Sequence, residues 1–383
     1  MTPAARWAAA ALILDQITAG EAAEKALTTW ARKSRFAGSK DRAAIRDHVF
    51  DILRCWRSTA ALGGGTDGRA LVLGRLRQID QDPDTVFTGD GYALKPLTDD
   101  ERVAGHTPQG AASADLPDWL FSLFNKDLSD EADKTAEALR HRASIFLRAN
   151  LLKTDRETAQ DVLSKEGVST KPHPLSDTAL EVTEGARRVA QTEAFRNGLV
   201  ELQDVASQAV VDALPLASGQ RVLDYCAGGG GKTLAMAARL NASIDAHDSD
   251  PRRMSDLPGR AERAGAKVTL VARPKPGYDL VLCDVPCSGS GSWRRAPEGK
   301  WRLTPERLKA LTKIQADILD RVTDLVSEGG TLAYATCSVL SCENEDQINA
   351  FLAQHPDWTR AEQKQFSLDQ GGDGFFIATL TRK

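Results

Sequence analysis

Apolar positions recur with two different periods along this chain: helical spacing in the first part, and short unbroken runs separated by helical stretches in the last. Near the N-terminus Ala9, Leu12, Ile13 and Ile17 share one helical face, and Ile45, Val49, Phe50, Leu53 and Trp56 share another. Residues from about Arg6 to Ala61 therefore predict packed helices. Gly63 to Gly65 break the pattern, and a helix near Leu71 to Ile79 leads into a turn-rich acidic stretch containing Asp80, Asp82, Asp84, Asp90, Asp99 and Asp100. Leu116 to Arg142 returns to helical spacing. Ser144 to Asn150 changes to a strand, followed by a helix at Arg156 to Glu166 and short strands at Val168 to Lys171 and Ala179 to Val182. Strand, helix, strand, strand is the order of a small α+β module.

From Arg221 the alternation is regular. Strands are predicted at Arg221 to Tyr225, Ser243 to His247, Val268 to Val271, Tyr278 to Cys283, Thr331 to Ala335 and Phe375 to Leu380. Helices are predicted at Lys232 to Arg239, Pro251 to Ala264, Pro305 to Val326 and Glu345 to Ala353. Repeated βα units predict a doubly wound, Rossmann-like parallel sheet that binds ligands beyond the carboxyl ends of its strands. The expected organisation is a helical domain with an acidic linker over residues 1–115, a small α+β module over 116–190 and an α/β domain over 191–383.

Composition narrows the function classes. The 383 residues are 42% hydrophobic and 27% charged with a net charge of −4, which argues against indiscriminate polyanion binding and makes any nucleic-acid surface local. Ala8 to Leu14 is too short to cross a bilayer, so a cytoplasmic protein without membrane contact is expected, as a monomer. Six cysteines in that setting are expected to be reduced. Arg46, Arg54 and Arg57 either sit in solvent on the helical bundle or meet RNA phosphates, and Arg140, Arg142 and Arg148 are either a basic face or ordinary surface.

The unusual residues lie at strand ends. Cys226-Ala227-Gly228-Gly229-Gly230-Gly231-Lys232-Thr233 follows the first α/β strand but matches neither the phosphate-binding P-loop nor the dinucleotide fingerprint. It offers a permissive backbone beside a helix N-terminus, and Asp248 after the next strand is placed to accept ribose hydroxyls, which suits a nucleoside-bearing ligand. Asp284-Val285-Pro286-Cys287 and Ala335-Thr336-Cys337-Ser338 follow two consecutive strands. If those strands are neighbours, both thiols reach one sheet edge and can act as nucleophiles. The competing readings are cysteines buried as small hydrophobes, or a zinc set of Cys283, Cys287, Cys337 and Cys342 that would need Cys283 to turn out of an apolar strand; no metal is expected. Directly after the first thiol loop, Trp293, Arg294, Arg295, Lys300 and Arg302 mix aromatics with cations, as surfaces do that stack and hold single-stranded RNA.

Three ordered motifs carry a family resemblance: Leu223-Asp224-Tyr225-Cys226 continuing to Thr233, Asp284-Val285-Pro286-Cys287-Ser288-Gly289, and Tyr334-Ala335-Thr336-Cys337-Ser338. Together they resemble the RsmB/Nop2/Sun family of RNA 5-methylcytosine methyltransferases. The likeness extends to Gln203–Gln208, Arg294–Pro297 and Asp373–Phe376, and so covers about Ser144 to Lys383. The N-terminal helices, with Lys40-Asp41-Arg42 and Arg46-Asp47, resemble the NusB-like bundle of the bacterial RsmB branch. The resemblance implies S-adenosylmethionine bound along Cys226 to Lys232 and at Asp248, with Arg253 and Asp284 as further contacts, and RNA as substrate, ribosomal rather than transfer RNA. Two positions depart from the family pattern. Gly229 stands where a proline is usual, and Val271-Ala272-Arg273-Pro274 carries no acid where the family has a third cofactor contact.

Cytosine C5 is a poor nucleophile until a thiolate adds at C6. The resemblance implies that Cys337 makes this attack and that Cys287 assists release, whereas DNA cytosine-C5 enzymes attack from a Pro-Cys motif like Pro286-Cys287. Asp284 is placed to meet the N3/N4 edge of the base as charge develops.

Overall fold

The computed structural model describes residues 1–383, which divide by contact into two units. The first comprises Met1–Arg142 together with Trp293–Arg302, and the second comprises Ala143–Ser292 and Leu303–Lys383. By contact, helices Asp118–Leu128 and Ala132–Leu139 pack within the first unit, as does a short segment from within the α/β sequence.

The first unit is a helical bundle whose main helices are Pro3–Thr18, Ala23–Lys33, Ser39–Arg54, Trp56–Gly63 and Gly68–Gln78. Its core holds Trp7, Ile13, Leu14, Ile45, Val49, Ile52, Leu53, Leu71, Val72 and Leu76. Leu12, expected on the buried face, points outward and is 60% exposed, because Ala9, Ala10, Ile13 and Leu14 already fill the inward stripe. Small residues let the helices approach closely. A Cβ on Gly74 would lie 1.8 Å from the Thr59 carbonyl oxygen, and one on Gly68 would lie 2.0 Å from that of Ala11. Asp67 caps the helix that carries both glycines, accepting from the Arg69 and Ala70 amides.

The second unit contains two sheets. In the smaller, β1 (Phe146–Ala149), β2 (Ser169–Pro172), β3 (Ala179–Glu184) and β4 (Val200–Leu202) run in the order β2-β3-β1-β4, all antiparallel. β4 is too short to show as a sequence pattern. The larger sheet comprises β5 (Val222–Asp224), β6 (Ile244–Ala246), β7 (Val268–Leu270), β8 (Tyr278–Asp284), β9 (Val326–Thr336), β10 (Trp358–Phe366) and β11 (Phe375–Arg382). Their order is β10-β11-β9-β8-β5-β6-β7; β5 to β9 are parallel, and β11 pairs antiparallel with both β9 and β10. The chain steps outward from β5 to β7 and then returns to β8, so the order reverses at β5 and opens a crevice at its carboxyl end. β10 escaped the sequence reading because its interior is polar and exposed, as suits an edge strand. No helix is long and apolar enough to cross a membrane.

Arg148 joins the two sheets. Its guanidinium is buried and donates to the Gly231 carbonyl at 2.7 Å and to Gln203 Oε1. Burial pushes it down to about 10, so neither surface reading of this arginine holds. Arg140 is held by Asp115 and Glu137, and Arg142 by Asp47, all within the first unit.

The glycine contacts set a stability test. Gly74→Ala should cost about 1–3 kcal/mol through overpacking, read as a lowered thermal midpoint. Gly259→Ala, on an exposed helical face with nothing within 4 Å of the added Cβ, should be neutral or stabilising.

Candidate active site at the strand ends

β5 ends at Asp224, and the following turn uses left-handed backbone at Gly228 (φ 49°) and Gly230 (φ 79°) before the helix Gly231–Leu240 begins. Gly230 is obligatory on two counts, since its added Cβ would also lie 2.1 Å from Leu257 Cδ1. The turn is tied to the next strand end. Gly228 N donates to Asp248 Oδ2 at 3.0 Å, Arg253 Nη1 lies 3.1 Å from the same oxygen, and Asp250 N donates to Asp248 Oδ1. Asp248 is therefore a buried carboxylate tied to the glycine turn.

A cavity of about 670 Å³ opens at this edge, lined among others by Asp224, Gly228, Lys232, Asp284, Cys287 and Cys337. A second, of about 190 Å³, shares Cys226, Arg253 and Pro286 with it and is lined further by His247, Asp248, Ile314 and Ile318. Both chambers carry charged side chains, and the smaller adds the Tyr225 and His247 rings with Ile314 and Ile318 beside Asp248, Arg253, Asp317 and Arg321. Asp224 adds a specific feature. It is fully buried, its Oδ2 accepts from Thr233 Oγ1 at 2.6 Å, and its Oδ1 has no hydrogen-bond partner. Burial pushes this carboxyl up to about 7, so an incoming ammonium group would find an acceptor and favour its ionised form.

Lys232 is buried beneath the turn with its ammonium 2.7 Å from Asp284 Oδ2 and over the Phe375 ring. Burial opposes its charge, but the Asp284 carboxylate outweighs this and holds the ammonium above its ordinary value. No acid follows β7. There the Val271 amide donates to Ala246 O, and the His247 ring, tilted against Tyr225, reaches the Val271 carbonyl through Nδ1.

β8 and β9 are neighbours in parallel register, with Asp284 opposite Ala335, so the loops beyond them leave the sheet side by side. The Cys287 and Cys337 sulfurs lie 3.4 Å apart as free thiols. The hydrogen bond to Cys337, with burial second, pushes the Cys287 thiol well up. Cys283 is packed in the hydrophobic core, and burial also pushes the Cys226 thiol up.

The segment expected to bind RNA is mostly enclosed. Trp293 is 1% exposed and stacks 6.2 Å from Phe124; Lys300 is 0% exposed, donates to the Arg54 carbonyl at 2.7 Å, and is pushed by burial down to about 8. Arg294 is buried, and its carbonyl accepts from Arg54 Nε. The reading of Trp293, Arg294 and Lys300 as RNA contacts is thus corrected: an enclosed indole offers no face to a base, and an enclosed ammonium already bound to a carbonyl offers none to phosphate. Arg295 and Arg302 are exposed, Arg302 pairing with Glu298.

Sequence reasoning missed Asp224: in the sequence it is one residue of a motif, and nothing local marks which of its oxygens lacks a partner.

A family model described as 16S rRNA methyltransferase RsmB/F matches residues 211–381, and one described as the RsmF/B-like methyltransferase ferredoxin-like domain matches 116–189. Ribosomal RNA small subunit methyltransferase B of Salmonella arizonae is 34% identical over 333 residues, covering 82% of this chain and 73% of the relative. That of Citrobacter koseri is 34% identical over 285 residues, covering 70% and 66%. The solved structure of PH0851 shares the fold over 99% of both chains with a TM-score of 0.78 at 22% identity. The chain belongs to the RsmB/F family of S-adenosylmethionine-dependent rRNA methyltransferases.

Proposed function

We propose that this protein methylates C5 of a cytosine in 16S ribosomal RNA through a covalent bond between Cys337 and C6 of the base. The observation that carries the reading is the 3.4 Å approach of the Cys287 and Cys337 sulfurs beside a carboxylate, Asp284, anchored by Lys232. The relatives' names supply the substrate class.

Cys337 sulfur adds to C6, leaving C5 an enamine carbon. S-adenosylmethionine, when bound, supplies the electrophilic methyl group that C5 accepts. The C5 proton then leaves to solvent and the C6–S bond breaks, returning its electron pair to Cys337. The sulfur contact permits a hydrogen bond in either direction; with the Cys287 thiol pushed well up, this reading leaves the proton on Cys287 and makes it the donor to the Cys337 sulfur. That bond stabilises a thiolate both before attack and as the leaving group. The same protonation disfavours attack from Pro286-Cys287.

Asp284 supports the choice of base. A carboxylate paired with a buried ammonium is an acceptor, and the exocyclic amine of cytosine is a donor at the matching edge. Uracil would present a carbonyl there, setting acceptor against acceptor. Asp224 and Asp248 would hold the ammonium and ribose ends of the cofactor, beside the backbone of Cys226 to Gly231 and with Arg253 close to the ribose carboxylate. Of the basic segment, Arg295 and Arg302 remain the proposed phosphate contacts.

The reading is tested by incubating the protein and methyl-labelled cofactor with 16S rRNA, small subunits and transfer RNA, then mapping 5-methylcytosine; label confined to transfer RNA, or to another base, would refute it. Cys337→Ala should abolish the covalent RNA adduct on a denaturing gel, while Cys287→Ala should accumulate it. Asp284→Asn should lower kcat/KM by roughly 10²–10³-fold. Charge reversal at Arg295 should weaken RNA binding and reduce the salt slope by about one phosphate contact.

A further inference from the structure

Two cysteines with different duties need a fixed separation and different protonation, and the structure places one buried group on both of their loops. Glu343 follows β9 in the short turn Ser341–Glu343 and is completely buried. Its Oε1 accepts from the Ser288 amide at 2.8 Å and from Gln315 Nε2 at 3.0 Å. Its Oε2 accepts from the Ser288 hydroxyl and from Ser338 Oγ at 2.6 Å. Ser288 is the residue after Cys287, and Ser338 the residue after Cys337. Gln315 also donates to the Pro286 carbonyl at 3.0 Å, so the Pro-Cys-Ser turn is held from both sides.

The turn itself is rigid. Tyr334 donates its hydroxyl to the Glu343 carbonyl at 2.6 Å, and Asn344 accepts from Thr336 Oγ1 while donating to the Ser338 carbonyl. Every hydrogen-bond donor to the Glu343 carboxylate is neutral. Burying a carboxylate without a cation is costly, and a glutamine could accept from several of the same donors at lower cost. The charge itself therefore calls for an explanation.

We propose that Glu343 is the positioning residue of the thiol pair: its carboxylate clamps the two cysteine loops together so that the Cys287 thiol donates to the Cys337 sulfur. The hydrogen bond to Cys337 and burial push the Cys287 thiol up first, and the Glu343 charge adds in the same sense, leaving Cys337 as the sulfur that attacks. This division of roles rests on the assignment of attack to Cys337, but the clamp can be measured without RNA or turnover.

The test is alkylation of the full-length protein by iodoacetamide across a pH series, with each cysteine followed by peptide mass spectrometry. In Glu343→Gln, the Cys287 profile should move to lower pH by about one unit, a tenfold faster modification at fixed pH, with cofactor affinity by calorimetry unchanged within a factor of about two. An unchanged Cys287 profile in a folded Glu343→Gln protein would overturn the proposal and leave Glu343 a packing group. Should that variant not fold, Ser288→Ala with Ser338→Ala keeps the charge and removes the hydroxyl ties. Diamide-driven formation of a Cys287–Cys337 disulfide should then slow severalfold, and an unchanged rate would refute the clamp. An RNA adduct persisting in Cys337→Ala would displace the assignment of attack without altering what the RNA-free titration says about Glu343.

Discussion

The site depends on the parallel pairing of β8 with β9. Because the two strands run in the same direction and in register, their carboxyl ends stop at the same level, with Asp284 opposite Ala335. Each then releases a loop with a cysteine close to its start. Strand pairing alone would bring the loops near one another; the buried carboxylate of Glu343 accepts from both and leaves the sulfurs 3.4 Å apart. The backbone supplies coarse placement and a single polar side chain supplies the fine one, which suits chemistry that is sensitive to small displacements of the reacting atoms.

Around the thiols the electrostatics are uneven in a useful way. Asp284 has its own buried ammonium, Asp248 has two backbone amides and Arg253, and Asp224 has only a hydroxyl and an unpartnered oxygen. The least compensated of the three is the one whose carboxyl is pushed up to about 7. A cationic ligand can lower its own free energy and that of Asp224 together, which suits the charged cavity to a ligand bearing an ammonium group.

The segment Trp293–Arg302 shows how residue type misleads. Aromatics interleaved with cations are what a single-stranded RNA surface uses, and they are equally what a chain segment uses to dock on a bundle. The indole of Trp293 packs on Phe124, Trp301 Nε1 reaches the Leu53 carbonyl, and Lys300 reaches the carbonyl of Arg54. The free backbone carbonyls of a helix end also accept from lysine, and here one occupies the cation that a phosphate would have needed.

Read along the chain, periodicity determined the succession of β and α elements from Arg221 onward, and glycine and proline positions placed the chemistry at strand ends, because both signals are local. The motifs likewise pointed to Asp284, Cys287 and Cys337 without a fold, and the strand ending just before Asp248 pointed to that residue. Tertiary structure decided what depends on partners distant in sequence: the exposure of Leu12, the polar edge strand β10, the burial of Arg148 and Lys300, and the separation of the two sulfurs. Glu343 belongs to the second group. Its ties to Ser288 and Gln315 cross long stretches of chain, and a carboxylate in sequence carries no mark of whether water or four buried donors will surround it.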